Sequence, residues 1–276
     1  MRSHNAVIGQ CRNPYDTDYI PGGSSGGSGV AVATGMADAA LGTDTGGSVR
    51  IPSAICGVTG LRPTTGRVSN NGCLPVSELH DTIGPMARNA MDVARLFAVM
   101  AGYDDSDPTS RDEPLENFLP TMNDGIEGVR IGIPRAYYYD DLAPATATAV
   151  EDALRVFEKL GAKLIDVELA GAEDTLAEAA VIIYSDAAQL HAERLEQPDK
   201  WGAQTIERMR LALDYTSRDY ARAMRAREHW QRTLKRTFET IDMLAVPTLP
   251  QLTPLIEDDR SLFEATKRVA ANTYAG

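Results

Sequence analysis

Val129-Arg130-Ile131-Gly132-Ile133, the run Ala145 to Leu160 and Lys163-Leu164-Ile165-Asp166-Val167 form the stretch of this sequence that decides its fold class. The outer segments have the length and apolar content of short strands. Between them, Val150, Leu154 and Phe157 recur at helical spacing on one face, and Gly161 supplies the left-handed stop that ends many helices. Strand, helix and strand in so short a span read as a parallel βαβ unit, because a right-handed helical crossover is what joins parallel neighbours.

Outward from this unit the same alternation continues. Upstream, the residues to Pro21 read as loop, with a short helix from about Gly27 and a buried strand near Ala39 to Gly42. A tight turn then leads into a second helix near Ser48. Val58 to Leu61 and Thr82 to Met86 read as strands, and Ala90 to Ala101 as a helix with Val93, Leu96, Phe97 and Met100 on one face. Downstream, helical patterns from about Asp174 to Leu195 and from Ser217 to Thr240 lead to the apolar segment Ile241 to Val246, which Pro247 ends. The fold class is α/β, and no boundary divides the chain, so residues 1–276 are expected to form a single domain. Within it, residues 103–128 carry eight carboxylates against Arg111 and read as an acidic surface connection.

Composition narrows the functions. The 276 residues are 43% hydrophobic and 24% charged, with a formal charge of -12. That sign repels phosphate backbones and anionic lipid, so nucleic acid is not favoured as a partner. No apolar run approaches the roughly 18 to 20 residues of a membrane helix, so no membrane association is expected. Cys11, Cys56 and Cys73 are sparse and odd in number, which argues against a disulfide framework, and no secretory signal opens the chain; a cytoplasmic location is expected. His4, His80, His191 and His229 lack the HxxxH spacing of a helical metal site, so neither metal nor cofactor is expected.

Two Gly/Ser clusters carry the chemical signal: Gly22-Gly23-Ser24-Ser25-Gly26-Gly27-Ser28-Gly29, and Gly42-Thr43-Asp44-Thr45-Gly46-Gly47-Ser48-Val49-Arg50. Alone, the first has the composition of a flexible linker. The second lies between apolar segments, where a linker has no reason to be. Each cluster suits a turn at a helix start, where free backbone N–H groups converge and the helix dipole is positive. A serine there can attack a carbonyl while its neighbours stabilise the oxyanion, each donor contributing roughly 3–4 kcal/mol in well-studied cases. Phosphate binding fits less well, since neither cluster matches GxxxxGK[ST] or GxGxxG. Gly22 to Gly26 does match GxSxG, the elbow of an α/β-hydrolase esterase with Ser24 as nucleophile. That elbow needs a strand before it, and residues 12–21 offer turn chemistry with two prolines instead.

The run from Arg12-Asn13-Pro14-Tyr15-Asp16 through both clusters to Ile51-Pro52-Ser53 resembles the amidase signature family. The likeness continues through Cys56-Gly57-Val58-Thr59-Gly60-Leu61-Arg62-Pro63-Thr64 and Asp81 to Arg88. It implies an α/β/α sandwich around a mixed sheet. By this resemblance Ser48 is the acyl-forming nucleophile and Ser24 the bridging serine behind a cis Gly23-Ser24 bond, the two hydroxyls within hydrogen-bonding reach. Thr45, Gly46, Gly47 and Ser48 offer oxyanion N–H groups, Ser25 and Asp44 steady the turn, and Arg50 steadies the segment after it.

One departure matters. The family's triad includes a lysine upstream of the bridging serine, and this sequence has no lysine before Lys159. Lys159, Lys163, Lys200, Lys235 and Lys267 all read as solvated charges. The sequence is therefore read as an internal portion of such an enzyme, lacking the lysine segment and the last strands. The implied activity is hydrolysis of a small-molecule carboxylic amide through a Ser48 acyl-enzyme. The alternatives are the catalytic subunit of an amidotransferase acting on charged tRNA, or an inactive or partner-dependent fragment. A homodimer or association through unpaired edges is expected as well. The acidic balance and the run Val76-Ser77-Glu78-Leu79-His80-Asp81-Thr82 lean toward stand-alone amidases, aryl-acetamide hydrolases among them.

Overall fold

The computed structural model describes residues 3–5, 7–256 and 269–274. The βαβ unit forms as its sequence dictates. Strand β4 (Arg130–Ile133) and strand β5 (Lys163–Asp166) pair in parallel, with Ile131 beside Leu164, and helix α4 (Pro144–Lys159) crosses between them. Pro144 opens α4 where its missing N–H costs nothing. Gly161, at φ +89°, turns the chain back. Ile131, Ile133, Leu154 and Ala162 are buried together, with Val150 and Phe157 packed on them. Strand β6 (Met243–Leu244) completes this sheet in the order β5-β4-β6, all parallel.

A second three-stranded sheet is antiparallel. It comprises β1 (Ala39–Asp44), β2 (Thr59–Gly60) and β3 (Thr82–Ala87), in the order β1-β3-β2. The expected mixture of pairings is present, divided among the described residues between these two sheets and a hairpin of His4–Asn5 with Gly9–Gln10. Helices α1 (Gly26–Ala33), α2 (Arg50–Cys56) and α3 (Ala90–Met100) flank the antiparallel sheet. Asn89 caps α3 by accepting the Asp92 N–H.

Among the described residues strand β1 has β3 as its one strand neighbour and is an edge. Leu41 stands opposite Pro85, and the main-chain groups of Leu41 and Thr43 face away from β3. Serines of α1 and its cap meet them. Ser28 Oγ donates to Leu41 O at 2.7 Å, and the Thr43 N–H donates to Ser25 Oγ at 3.1 Å. The side chains of one helix thus stand in for a neighbouring strand.

A helical layer of α5 (Thr175–Leu190), α6 (Ala203–Ala212) and α7 (Ser217–Thr237) completes the molecule. Val181 and Ile182 of α5 bury Ala223 of α7, while Ile183, Tyr184 and Ala188 pack on Ala212 of α6. Thr216 and Asp219 close a capping box at the start of α7. The helix read from 174 to 195 is present but broken at His191, running over Thr175–Leu190 and again over Ala192–Leu195. His191 leaves helical geometry at φ -113° and ψ +17°, its buried ring bonded to Pro75 O and to Arg194. Helix α6 was not legible: over residues 205–212, Met209 and Ala212 are buried and Ile206 half-buried, amid charged neighbours. In the acidic connection, Asp107 is buried and accepts the Asn70 N–H at 2.7 Å, while Asp104 accepts from Ser69 and the Arg111 N–H donates to Gly66 O, so that segment is tied to the loop 65–70 at several points.

Candidate active site

The first Gly/Ser cluster is a loop pressed onto α2. Gly22 has φ +78°, and a Cβ there would lie 2.9 Å from the Pro52 Cα, so both conformation and space require glycine. Ser3 Oγ lies 2.8 Å from Gly22 O and accepts the Gly26 N–H at 3.0 Å, fixing the loop from outside. Asn13 is buried and reaches Ile20 O, and the Tyr15 hydroxyl donates to Cys56 O. The Gly23-Ser24 bond is cis, as expected. Ser24 is exposed and Ser48 half-buried.

The two serine loops are joined through the main chain: the Ser25 N–H donates to Ser48 O at 3.2 Å. The expected bond between the Ser24 and Ser48 hydroxyls is not formed among the described residues. Each hydroxyl turns about a single side-chain torsion.

The second cluster is organised by Asp44, whose side chain is fully buried. Its carboxylate accepts the N–H groups of Gly47 (2.6 Å), Val49 (3.1 Å) and Arg50 (3.3 Å). Arg50 donates from Nε and Nη2, each at 3.0 Å, and Arg62 Nη1 lies 3.2 Å away. Burial alone would raise the Asp44 pKa, but the Arg50 hydrogen bond, the two guanidinium charges and the Gly47 N–H together lower it to about 2. Asp44 and Arg50 are thus bonded to each other, with Asp44 also holding the Gly47 and Val49 N–H groups.

Gly47 differs from the other expected oxyanion donors. Its N–H is spent on Asp44, because the φ of +119° that glycine permits turns that group inward. The N–H groups of Thr45, Gly46 and Ser48 have no acceptor among the described residues. They are the donors free to meet a developing negative charge. Gly46 and Gly47 lie under residues 273 and 274: a Cβ on Gly46 would meet the Tyr274 ring at 2.6 Å, and Thr273 Oγ1 donates to Gly46 O at 2.9 Å.

Arg62, Asp81 and Thr273 belong to this site and were not singled out in the sequence. Arg62 also donates to the Asp44 main-chain carbonyl and to His80 O, and Thr45 Oγ1 donates to Asp81 Oδ1. A hollow of about 220 Å³ opens beside the turn, bordered by Thr43, Thr45, Cys73, Val76 and Asp81. A larger cavity of about 650 Å³ lies beyond Arg50 and Arg62 against α5 and α7, and it reaches neither serine.

Lys159, Lys163, Lys200 and Lys235 are exposed on elements away from the serines, and Lys267 lies outside the described residues. Among the described residues no histidine bonds to Ser24 or Ser48: His80 faces Ser77, and His191 faces Pro75. No strand runs directly into Ser24 either, so the elbow reading lacks both its base and its scaffold. Among the described residues no cluster of His, Cys, Asp and Glu is placed to hold a metal, and the three cysteines are free.

The amidase family model matches residues 1–275, and this chain belongs to that family. It is 35% identical over 271 residues to a glutamyl-tRNA(Gln) amidotransferase subunit from Trichlorobacter lovleyi, covering 89% of this chain and 56% of that one. Of solved structures, an amidase superposes with a TM-score of 0.85 at 30% identity, over 99% of this chain and 61% of that one. A component of a vestigial protein complex, solved in connection with the origins of an s-triazine catabolic enzyme, superposes with a TM-score of 0.91 at 31% identity, over 100% of this chain and 62% of that one. The chain therefore spans little more than half the length of the relatives it matches.

Proposed function

We propose that this chain carries the nucleophile and oxyanion turn of an enzyme that hydrolyses a carboxylic amide, releasing ammonia or an amine and then the acid. Ser48 attacks the amide carbonyl, and the N–H groups of Thr45, Gly46 and Ser48 receive the oxyanion. The observation that carries this reading is the pairing of a half-buried serine with unoccupied N–H donors in one turn held by Asp44. Ser24 relays the Ser48 proton to the departing nitrogen once substrate brings the hydroxyls together, so that the C–N bond breaks as the amine leaves neutral, and Ser25 and Arg50 hold the turn.

A second reading is favoured by the curated relative, an amidotransferase subunit that is 35% identical. On that reading the same turn releases ammonia for transfer, and the chain works beside other subunits. The formal charge of -12 supports the stand-alone hydrolase over a face for tRNA.

The test is covalent labelling followed by peptide mapping. A serine-directed phosphonate is expected to mark Ser48, and Ser48→Ala to abolish both the label and any turnover of aryl amides. Label on Ser24 with Ser48 untouched would overturn the assignment.

A further inference from the structure

The segment 70–81 touches both the serine turn and the helical layer, and an unbroken line of hydrogen bonds runs through it. At the turn, Thr45 Oγ1 donates to Asp81 Oδ1. The other Asp81 oxygen accepts the N–H groups of Val76 at 2.7 Å and Ser77 at 3.0 Å. Ser77 is fully buried and donates its hydroxyl to Asp186 Oδ2 of α5 at 2.6 Å. Tyr220 of α7 donates to Asp186 Oδ1 at 3.0 Å.

The direction of these bonds is fixed. A serine hydroxyl has one proton, and Ser77 gives it to Asp186, so His80 Nδ1, 3.0 Å from Ser77 Oγ, must be the N–H donor. His80 is neutral at pH 7: burial, then the charges of Arg227 and Arg62, push its pKa down to about 4. Hydrogen bonds to a carboxylate are the stronger kind, and Asp186 receives one from each side.

We infer that Ser77, Asp186 and Tyr220 are positioning residues: through Asp81 they fix Thr45, and with it the free N–H groups of the serine turn, against the helical layer. The inference rests on the oxyanion reading given above. Donors of this kind count only when held in place before charge develops; Asp44 holds the Gly47 side of the turn and Thr273 holds Gly46 O, while Asp81 is the partner that holds the Thr45 side chain. None of the three residues reaches Ser24 or Ser48; each acts through the next.

The experiment compares the whole chain with Ser77→Ala, Asp186→Asn and Tyr220→Phe by hydrogen exchange and by phosphonate labelling of Ser48. Peptides covering residues 43–49 are expected to exchange about tenfold faster in the first two variants and less so in the third, with peptides of β4 and β5 unchanged. The labelling rate at saturating phosphonate should fall in the same order, with the half-saturating concentration unaltered. Exchange over 43–49 that stays at the wild-type rate in Asp186→Asn and Tyr220→Phe overturns the inference. So does exchange that rises equally across β4 and β5, since the residues then serve only general stability. If no protein takes the label yet exchange responds as described, the positioning role stands and the proposed function fails. Labelling of Ser48 that proceeds alike in all variants has the reverse meaning: the proposed function stands and the positioning role fails.

Discussion

Asp44 is the residue on which the serine turn depends, and its behaviour with pH is calculable. Its folded pKa, about 2, lies below the ordinary carboxylate value near 3.9. A group depressed by folding lends stability that is complete above its unfolded pKa and is lost as pH falls through the folded one. Two pKa units amount to roughly 2–3 kcal/mol, so urea unfolding of the wild type should lose about that much between pH 5 and pH 2 on account of Asp44. Asp242, paired with Arg130 at the surface, is also lowered to about 2, so the comparison has to be made against a variant. Asp44→Asn should cost about 3–5 kcal/mol at pH 7, because it strands Arg50 and Arg62 beside a neutral amide, and its profile should be flatter over the acid range. A variant as stable as wild type at pH 7 would remove Asp44 from its central place in the turn.

At the level of elements, the two Gly/Ser clusters divide their glycines between those the fold requires and those it merely carries. A Cβ at Gly47 would lie 2.3 Å from Thr273 Oγ1 at a φ of +119°, so Gly47→Ala should cost at least about 2 kcal/mol by thermal or urea unfolding. Gly27 is exposed within α1 and a Cβ there meets nothing within 4 Å. Gly27→Ala should therefore stabilise by about 0.5–1 kcal/mol, and opposite signs for the two variants are the measurement to make. The same contrast explains what the sequence could and could not reveal. The βαβ unit and the helix starts were legible because their signals are local: periodicity and small residues at turns. Arg62 and Asp81 lie in segments that carry the family likeness, but nothing local gives either a role at the turn, and Thr273 had no signal at all, being 227 positions from Gly46. Helix α6 failed for a related reason, its weak apolar stripe being defined by its partner α5 and not by its own pattern.

For the molecule as a whole, the expectation about unpaired edges takes a more specific form. No helix among the described residues is long and apolar enough to cross a membrane. The surface that invites unwanted contact is instead a strand edge, and at β1 that edge is already occupied by Ser25 and Ser28. Removing the Ser28 hydroxyl leaves the Leu41 carbonyl open, a loss on the order of 1 kcal/mol to folding but a new template for another chain. Ser28→Ala, and more so the double variant with Ser25→Ala, should sediment as larger species at raised protein concentration, while wild type holds its lower size. Unchanged sedimentation would mean that the edge is shielded by other means.

The serines that cap β1 place a burden on the Gly/Ser run that has nothing to do with substrate. An edge closed by a neighbouring strand is lost only when the fold is lost, whereas an edge closed by two hydroxyls is opened by changing single atoms. How densely this protein can be packed in a cell or in a storage buffer before it begins to gel is therefore set, in part, by the least conspicuous serines of the loop that looks most like a tether.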